Sequence, residues 1–310
     1  MRFFNKSIFG YALFLILIIN YQGVFAQQQP HFTEYVYNIM NINPAYTGTD
    51  ASFEAYIIHR TQWSGLDGAP STQVVGIQGA LENNIGIGLN ILNDKIGPSN
   101  ETVIKANVSY TIKASATINL ALGINVGTSL LSVNYSDGSY YNPGDPMFKE
   151  NVSNMISPYI GAGGYLFSEK WYFGLSVPNF AKSTTFNNNN EIVVPNMVHY
   201  YLMSGYIFNL SNNLKFKPSV LAKVVAGAPV SVDLSANFLI NEKFILGAGY
   251  RYNDAVNILA GFQVSKSILI GYAYDYNLTN LQKYNQGSHD LVLRYRFVGK
   301  QKNTISPRFF

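Results

Sequence analysis

Four histidines are the first residues to test for chemistry, and they stand apart, at His31, His59, His199 and His289. A metal site built from them would need short spacings such as i,i+2 or i,i+4, and no such pair occurs. The chain has no cysteine, which removes thiol nucleophiles, disulfides and thiolate ligands. The serine-nucleophile, phosphate-loop and zinc-protease motifs are missing as well. Ser288 and His289 are adjacent, but in an extended chain neighbouring side chains point to opposite faces, so they cannot act as nucleophile and base. The cluster Gly161-Ala162-Gly163-Gly164 lies inside strand-like sequence, where glycine permits curvature or makes room for a plug rather than cradling phosphate. These residues predict no enzyme, no cofactor and no metal.

The remaining chemistry is that of surfaces, and composition says which kind. Of 310 residues, 47% are hydrophobic, 15% aromatic and only 12% charged. An average soluble domain carries about 25% charge. After the first residues no apolar run approaches the roughly 18 residues of a membrane-crossing helix. Arg2 and Lys6 precede an apolar run over residues 8–19, with small residues at Val24 and Ala26. That order predicts a signal peptide over residues 1–26. Its two cations make up half of the net charge of +4, leaving too little to attract nucleic acid.

Apolar residues then recur at every second position, the strand period. Leu120, Leu122, Ile124 and Val126 alternate with Asn119, Ala121, Gly123 and Asn125. Leu291, Leu293, Tyr295 and Phe297 alternate with Asp290, Val292, Arg294 and Arg296. About fourteen strands are predicted, beginning near Ala51, Gln73, Ile85, Glu101, Thr117, Met155, Trp171, His199, Leu214, Val230, Phe244, Ala255, Ser267 and His289. Their connections alternate strictly in kind. One set is short (82–84, 113–116, 168–170, 211–213, 241–243, 265–266). The other holds the long loops (61–72, 93–100, 134–154, 181–196, 277–288), with short members at 226–228 and 253–254. A sandwich has no reason to sort its loops in this way. An outer-membrane barrel does, with tight turns in the periplasm and long loops outside. The fold expected is therefore all-β: a transmembrane antiparallel β-barrel of the bacterial outer membrane, over residues 51–298, in contact with outer-membrane lipid.

Its apolar face looks to lipid. A mixed-sign set of Glu54, Arg60, Lys105, Lys215, Lys217, Lys223, Asp233, Arg251, Asp275, Arg294 and Arg296 lines the bore. Trp63, Trp171, Tyr172, Phe208, Phe244, Tyr250, Tyr276 and Phe297 fall near strand ends, where aromatic girdles sit.

Three stretches resemble a known family. Asn43-Pro44-Ala45-Tyr46-Thr47-Gly48, then Gln62-Trp63 with Asp67-Gly68-Ala69-Pro70, and late in the chain Tyr274-Asp275-Tyr276 with Ser288-His289-Asp290 are together similar to the PorP/SprF outer-membrane proteins of the type IX secretion system of Bacteroidetes. The resemblance spans essentially the whole mature chain. It implies a non-enzymatic role in secreting or anchoring cargo with a C-terminal sorting domain, such as a gliding adhesin, at the cell surface. It also implies a periplasmic partner, a peptidoglycan-associated lipoprotein of the same system. The rival reading is a passive channel or hydrophobic-solute transporter.

Three surfaces are candidates for function. Residues 27–50, with Tyr35, Tyr37, Asn43, Pro44 and Tyr46, lack strand alternation and form either a plug in the lumen or a periplasmic flap. Trp63, Asp67 and Pro70, with Tyr141 and Pro143, offer rigid outer-loop chemistry for cargo. The tail, residues 299–310, carries Lys300, Lys302, Arg308, Phe309 and Phe310 for periplasmic docking.

Overall fold

The computed structural model describes residues 37–50, 52–135, 151–181, 184–186, 192–195 and 197–297. The strands are β1 (Glu54–Thr61), β2 (Ser71–Ala80), β3 (Ile85–Ile96), β4 (Ser99–Lys113), β5 (Asn119–Val133), β6 (Val152–Phe167) and β7 (Trp171–Val177). After a separate hairpin of β8 (Thr184–Phe186) and β9 (Ile192–Pro195) come β10 (His199–Tyr206), β11 (Phe208–Ser211), β12 (Leu214–Val225), β13 (Ser231–Ile240), β14 (Phe244–Arg251), β15 (Ala255–Gln263), β16 (Ile268–Asn277) and β17 (Ser288–Arg296). Each strand of the large sheet pairs antiparallel with its neighbours. The ring closes where β1 meets β17, from Glu54↔Arg296 to Thr61↔His289. β10 pairs with β12, and β11 continues the β10 stave past Ile207, so the closed wall has fourteen staves.

The exposed positions are the greasy ones. On β5, Leu122, Ile124 and Val126 are 51–57% exposed, whereas Ala121 and Asn125 on the other face are fully buried. The same inversion runs round the ring, with Ile57, Val75, Leu234, Ile258, Ile270 and Leu291 outward. Closure removes free sheet edges, which backbone groups could not tolerate in lipid. No described helix is long and apolar enough to cross a membrane; the strands make the crossing.

Two of the turns at the tight-turn rim are set by asparagine. Asn83 and Asn84 both have positive φ, as do Asn241 and Glu242. Two central residues of that kind make a turn whose twist matches the flanking strands, and asparagine tolerates the conformation best after glycine. Phe208, Phe216 and Phe238 stack across neighbouring strands near this rim, with centroids 6.1 and 4.9 Å apart.

Three expectations need correction. Residues 93–100 are not a long loop: β3 runs to Ile96, β4 starts at Ser99, and only Gly97-Pro98 turns the chain. Tyr172 is not a girdle residue; it is 2% exposed, points into the bore and stacks on Tyr165 at 5.6 Å. The bore is also less purely polar than alternation alone predicts. Ile58, Val74, Leu239, Ile245, Leu269 and Val292 all bury inward, because something apolar lies inside to receive them.

Candidate functional site

What lies inside is the segment before β1. A single helical turn, α1 (Ile39–Ile42), runs into a 3-10 turn over Pro44–Tyr46. Proline supplies the fixed φ at the first position of that turn, and the Asn43 side chain caps it by accepting from the Ala45 N–H at 3.0 Å. Gly48, at φ +65°, then bends the chain towards β1. No other residue fits there, since a Cβ would stand 2.4 Å from the Gly86 Cα. Ile39, Met40, Ile42, Ala45 and Tyr46 are all at most 7% exposed.

The segment is pinned to staves around the ring. Tyr56 on β1 donates to Asn38 Oδ1 at 3.0 Å, and Asn90 on β3 donates in turn to the Tyr56 hydroxyl oxygen. On β4, Lys105 Nζ donates to the Asn41 carbonyl at 2.8 Å and Ser109 to the Thr47 carbonyl at 2.5 Å. Ser176 on β7 donates to the Ile42 carbonyl at 2.9 Å, and Asn43 donates to the Gly164 carbonyl at 3.1 Å. Tyr46 meets Tyr165 edge-on at 5.4 Å. At the tight-turn rim Arg296 pairs with Asp50 at 3.3 Å, and Arg294 lies over the Tyr37 ring.

Room for the segment comes from missing side chains. A Cβ on Gly123 would stand 2.4 Å from the Ala45 nitrogen, and one on Gly163 would stand 2.1 Å from Asn43 Oδ1. Inward-facing glycines were the available sequence signal for a filled bore, and the Gly161–Gly164 cluster carries part of it.

Above the segment, towards the long-loop rim, the bore is ionic. Arg60 on β1 reaches Asp290 on β17 at 2.5 Å and Asp275 on β16 at 2.9 Å. Arg251 on β14 pairs with Asp233 at 2.6 Å and Asp254 at 3.3 Å, and approaches Asp275 at 3.9 Å. Asp290 was not among the bore-lining residues expected from sequence, although its alternation placed it on that face. The two arginines thus weld five staves together near the rim. Nine of the eleven expected bore residues are buried; Lys215 and Arg296 are only half-buried.

The outer-loop residues fall into distinct roles. Trp63 is half-buried at φ 47° and donates its N–H to Ser288 Oγ at 3.2 Å. The Ser64 N–H donates to the Gly287 carbonyl and the Gln286 N–H to the Ser64 carbonyl, tying the β1–β2 loop to the β16–β17 loop, and the Gly97 N–H reaches the Gly68 carbonyl. Pro70 is buried, its carbonyl accepting from Gln62, while Asp67 is exposed. Ser288 faces inward; His289 faces outward and shares a 2.7 Å hydrogen bond with Tyr272. Tyr37, Asn43, Pro44 and Tyr46 are together in the bore. Tyr35, Tyr141, Pro143, Lys300, Lys302, Arg308, Phe309 and Phe310, and residues 1–26, lie outside the described residues. Among the described residues no group of three His, Asp or Glu side chains is placed to hold a metal ion.

The family model described as "Type IX secretion system membrane protein PorP/SprF" matches residues 24–295. No curated protein matches the chain. Among solved structures the chain is similar to the CymD monoaromatic hydrocarbon channel, at 11% identity and a TM-score of 0.50, over 83% of this chain and 91% of that one. The Ralstonia pickettii toluene transporter TbuX aligns at 10% identity and a TM-score of 0.48, over 82% and 91%. The Acinetobacter baumannii outer membrane protein Omp33 aligns at 8% and 0.47, over 81% and 100%. At such identities the likeness is one of fold alone.

Proposed function

We propose a role for this protein from one premise: the chain belongs to the PorP/SprF family of type IX secretion system membrane proteins, and it is an outer-membrane component of that machinery. Its task is to hold secreted cargo, a gliding adhesin or another protein with a C-terminal sorting domain, at the cell surface. It does so without catalysis. A peptidoglycan-associated lipoprotein is its periplasmic partner, engaged at the tight-turn rim and by residues 299–310.

The observation that carries this reading is the filled bore. A channel needs a continuous polar path, whereas here residues 37–50 are hydrogen-bonded to staves on several sides of the ring. Such a barrel serves better as an anchor than as a pore. The long-loop rim supports a binding role: the Trp63 loop is tied to the two loops beside it, which gives a partner a rigid face. Ser288 is buried in the bore while His289 bonds Tyr272 on the outer face, so this pair is not arranged as nucleophile and base.

The rival is a passive channel or hydrophobic-solute transporter. Pull-down of the full chain in gentle detergent, followed by mass spectrometry, separates the two. Recovery of a large secreted protein together with a periplasmic lipoprotein is the expected result. A solitary barrel showing ohmic conductance in planar bilayers would overturn the anchoring role.

A further inference from the structure

At the long-loop rim β6 rises above the strand beside it. One of its edges is paired with β5 from Asn119↔Phe167 up to Val133↔Val152, through one irregularity. On the other edge β7 meets only Ala162–Phe167 and ends at Val177. The chain then stays with β6 for two more bonds. The Ile160 N–H donates to Asn179 Oδ1 at 3.2 Å, and the Phe180 N–H donates to the Ile160 carbonyl at 2.8 Å. Those bonds fix the parity of this edge. Backbone groups of an antiparallel strand turn to alternate sides, so Pro158 and Ile156 present theirs in the same direction as Ile160. No described strand pairs with them there, and the β8–β9 hairpin is bonded only to itself. Proline has no N–H, which leaves the Pro158 carbonyl together with the N–H and carbonyl of Ile156. Pro158 is exposed, and Ile156 is 71% exposed. An open strand edge of this kind is a template for a further strand.

We propose that an extended segment of the secreted cargo adds to this edge as a strand, antiparallel to β6, on the line that β7 leaves at Val177. The inference rests on the cargo-holding role proposed above and says where the grip lies. Main-chain bonds supply the affinity in such strand addition, and alternate side chains supply the selectivity. The residue opposite Ile156 exchanges two hydrogen bonds with it, at a strand spacing of about 4.8 Å. Its side chain stands on the same, outward face, beside the exposed side chains of Ile156 and Ile160. That residue and those two places away are therefore apolar. The residues between them face the bore, on the side of Ser157 and the buried Tyr159, and are polar. The partner is thus a polypeptide stretch that alternates in the same sense as the wall it joins.

The test uses the full-length protein in detergent micelles and a fluorescently labelled peptide of alternating threonine and valine, blocked at both ends. In the free barrel the Ile156 amide exchanges its hydrogen faster than those of Ser157 and Tyr159, which turn towards β5. The peptide slows exchange at Ile156 about ten-fold or more. N-methylation of its valines, whose N–H groups face β6, abolishes binding, while N-methylation of its threonines does not. Ile156→Pro removes the one N–H of the edge and weakens binding about five-fold or more, whereas Ile156→Val binds as the parent does. A heat-modifiable band on SDS gels shows that each variant remains a folded barrel. Slow exchange at Ile156 before peptide is added means that the barrel's own loops close the edge, and overturns the proposal. So does a peptide that fails to bind, or one that binds equally with its valines methylated. Pull-down separates this inference from the role beneath it. Equal recovery of a secreted protein by the parent and by Ile156→Pro overturns the strand addition and leaves cargo holding intact, whereas no secreted protein with the parent overturns the role itself.

Discussion

Arg60 shows how far apart in sequence the working parts of this barrel are. Its partners Asp275 and Asp290 lie more than 200 residues away, yet all three are at most 3% exposed at the side chain. A buried charge left without its partner typically costs about 3–5 kcal/mol. Arg60→Met therefore lowers the unfolding free energy by about that much, measured by urea titration in lipid vesicles, and adding Asp290→Asn restores part of the loss. Alternation made the inward direction of Arg60 and Asp275 legible, but periodicity holds no information on which distant stave carries the partner. The stretches Gln62-Trp63, Tyr274-Asp275-Tyr276 and Ser288-His289-Asp290 turn out to converge, Trp63 on Ser288 and the two aspartates on Arg60. Gly163 makes a second prediction at this scale. A Cβ there collides with Asn43 Oδ1, so Gly163→Val displaces the plug and raises single-channel conductance in planar bilayers, while the heat-modifiable gel shift is retained.

Among the elements, the plug is the one that alternation could not place. Residues 27–50 read equally well as a flap or as a plug, since a stretch without strand alternation carries no period that names its neighbours. The neighbours carried the signal, in the glycines of β3, β5 and β6 that leave space in the wall. Deleting residues 27–43 removes α1 and the Asn43 cap, and with them the bonds from Tyr56, Lys105 and Ser176. Conductance is expected to rise on deletion; an unchanged trace would mean that residues 27–43 do not obstruct the bore. Strand starts were legible to within three residues at every stave, because each tight turn is marked by Asn, Ser, Glu or Lys between apolar runs. The β3–β4 turn was read too long for a physical reason. Asn93, Asp94, Asn100 and Glu101 have loop-like composition, but here Asp94 and Glu101 point into a polar bore and Asn93 bonds to Asn100 and Thr102 across the strands.

For the molecule as a whole, the inside-out distribution of side chains is the property most open to measurement. Ile124 is 57% exposed on a stave whose inward neighbours are fully buried. Ile124→Lys should lower folding stability in lipid vesicles by about 2–4 kcal/mol, the cost of a cation near the bilayer midplane, whereas Ile124→Leu should be close to neutral. Two tryptophans, Trp63 near one rim and Trp171 near the other, report the transition by fluorescence. The order of the chain has one more consequence. The stopper precedes the first stave, and the ring is sealed by joining that stave to the last. The stopper is thus tethered to the stave that makes the seam, as a bung hung from the stave beside the join, so filling and closure share one stretch of chain.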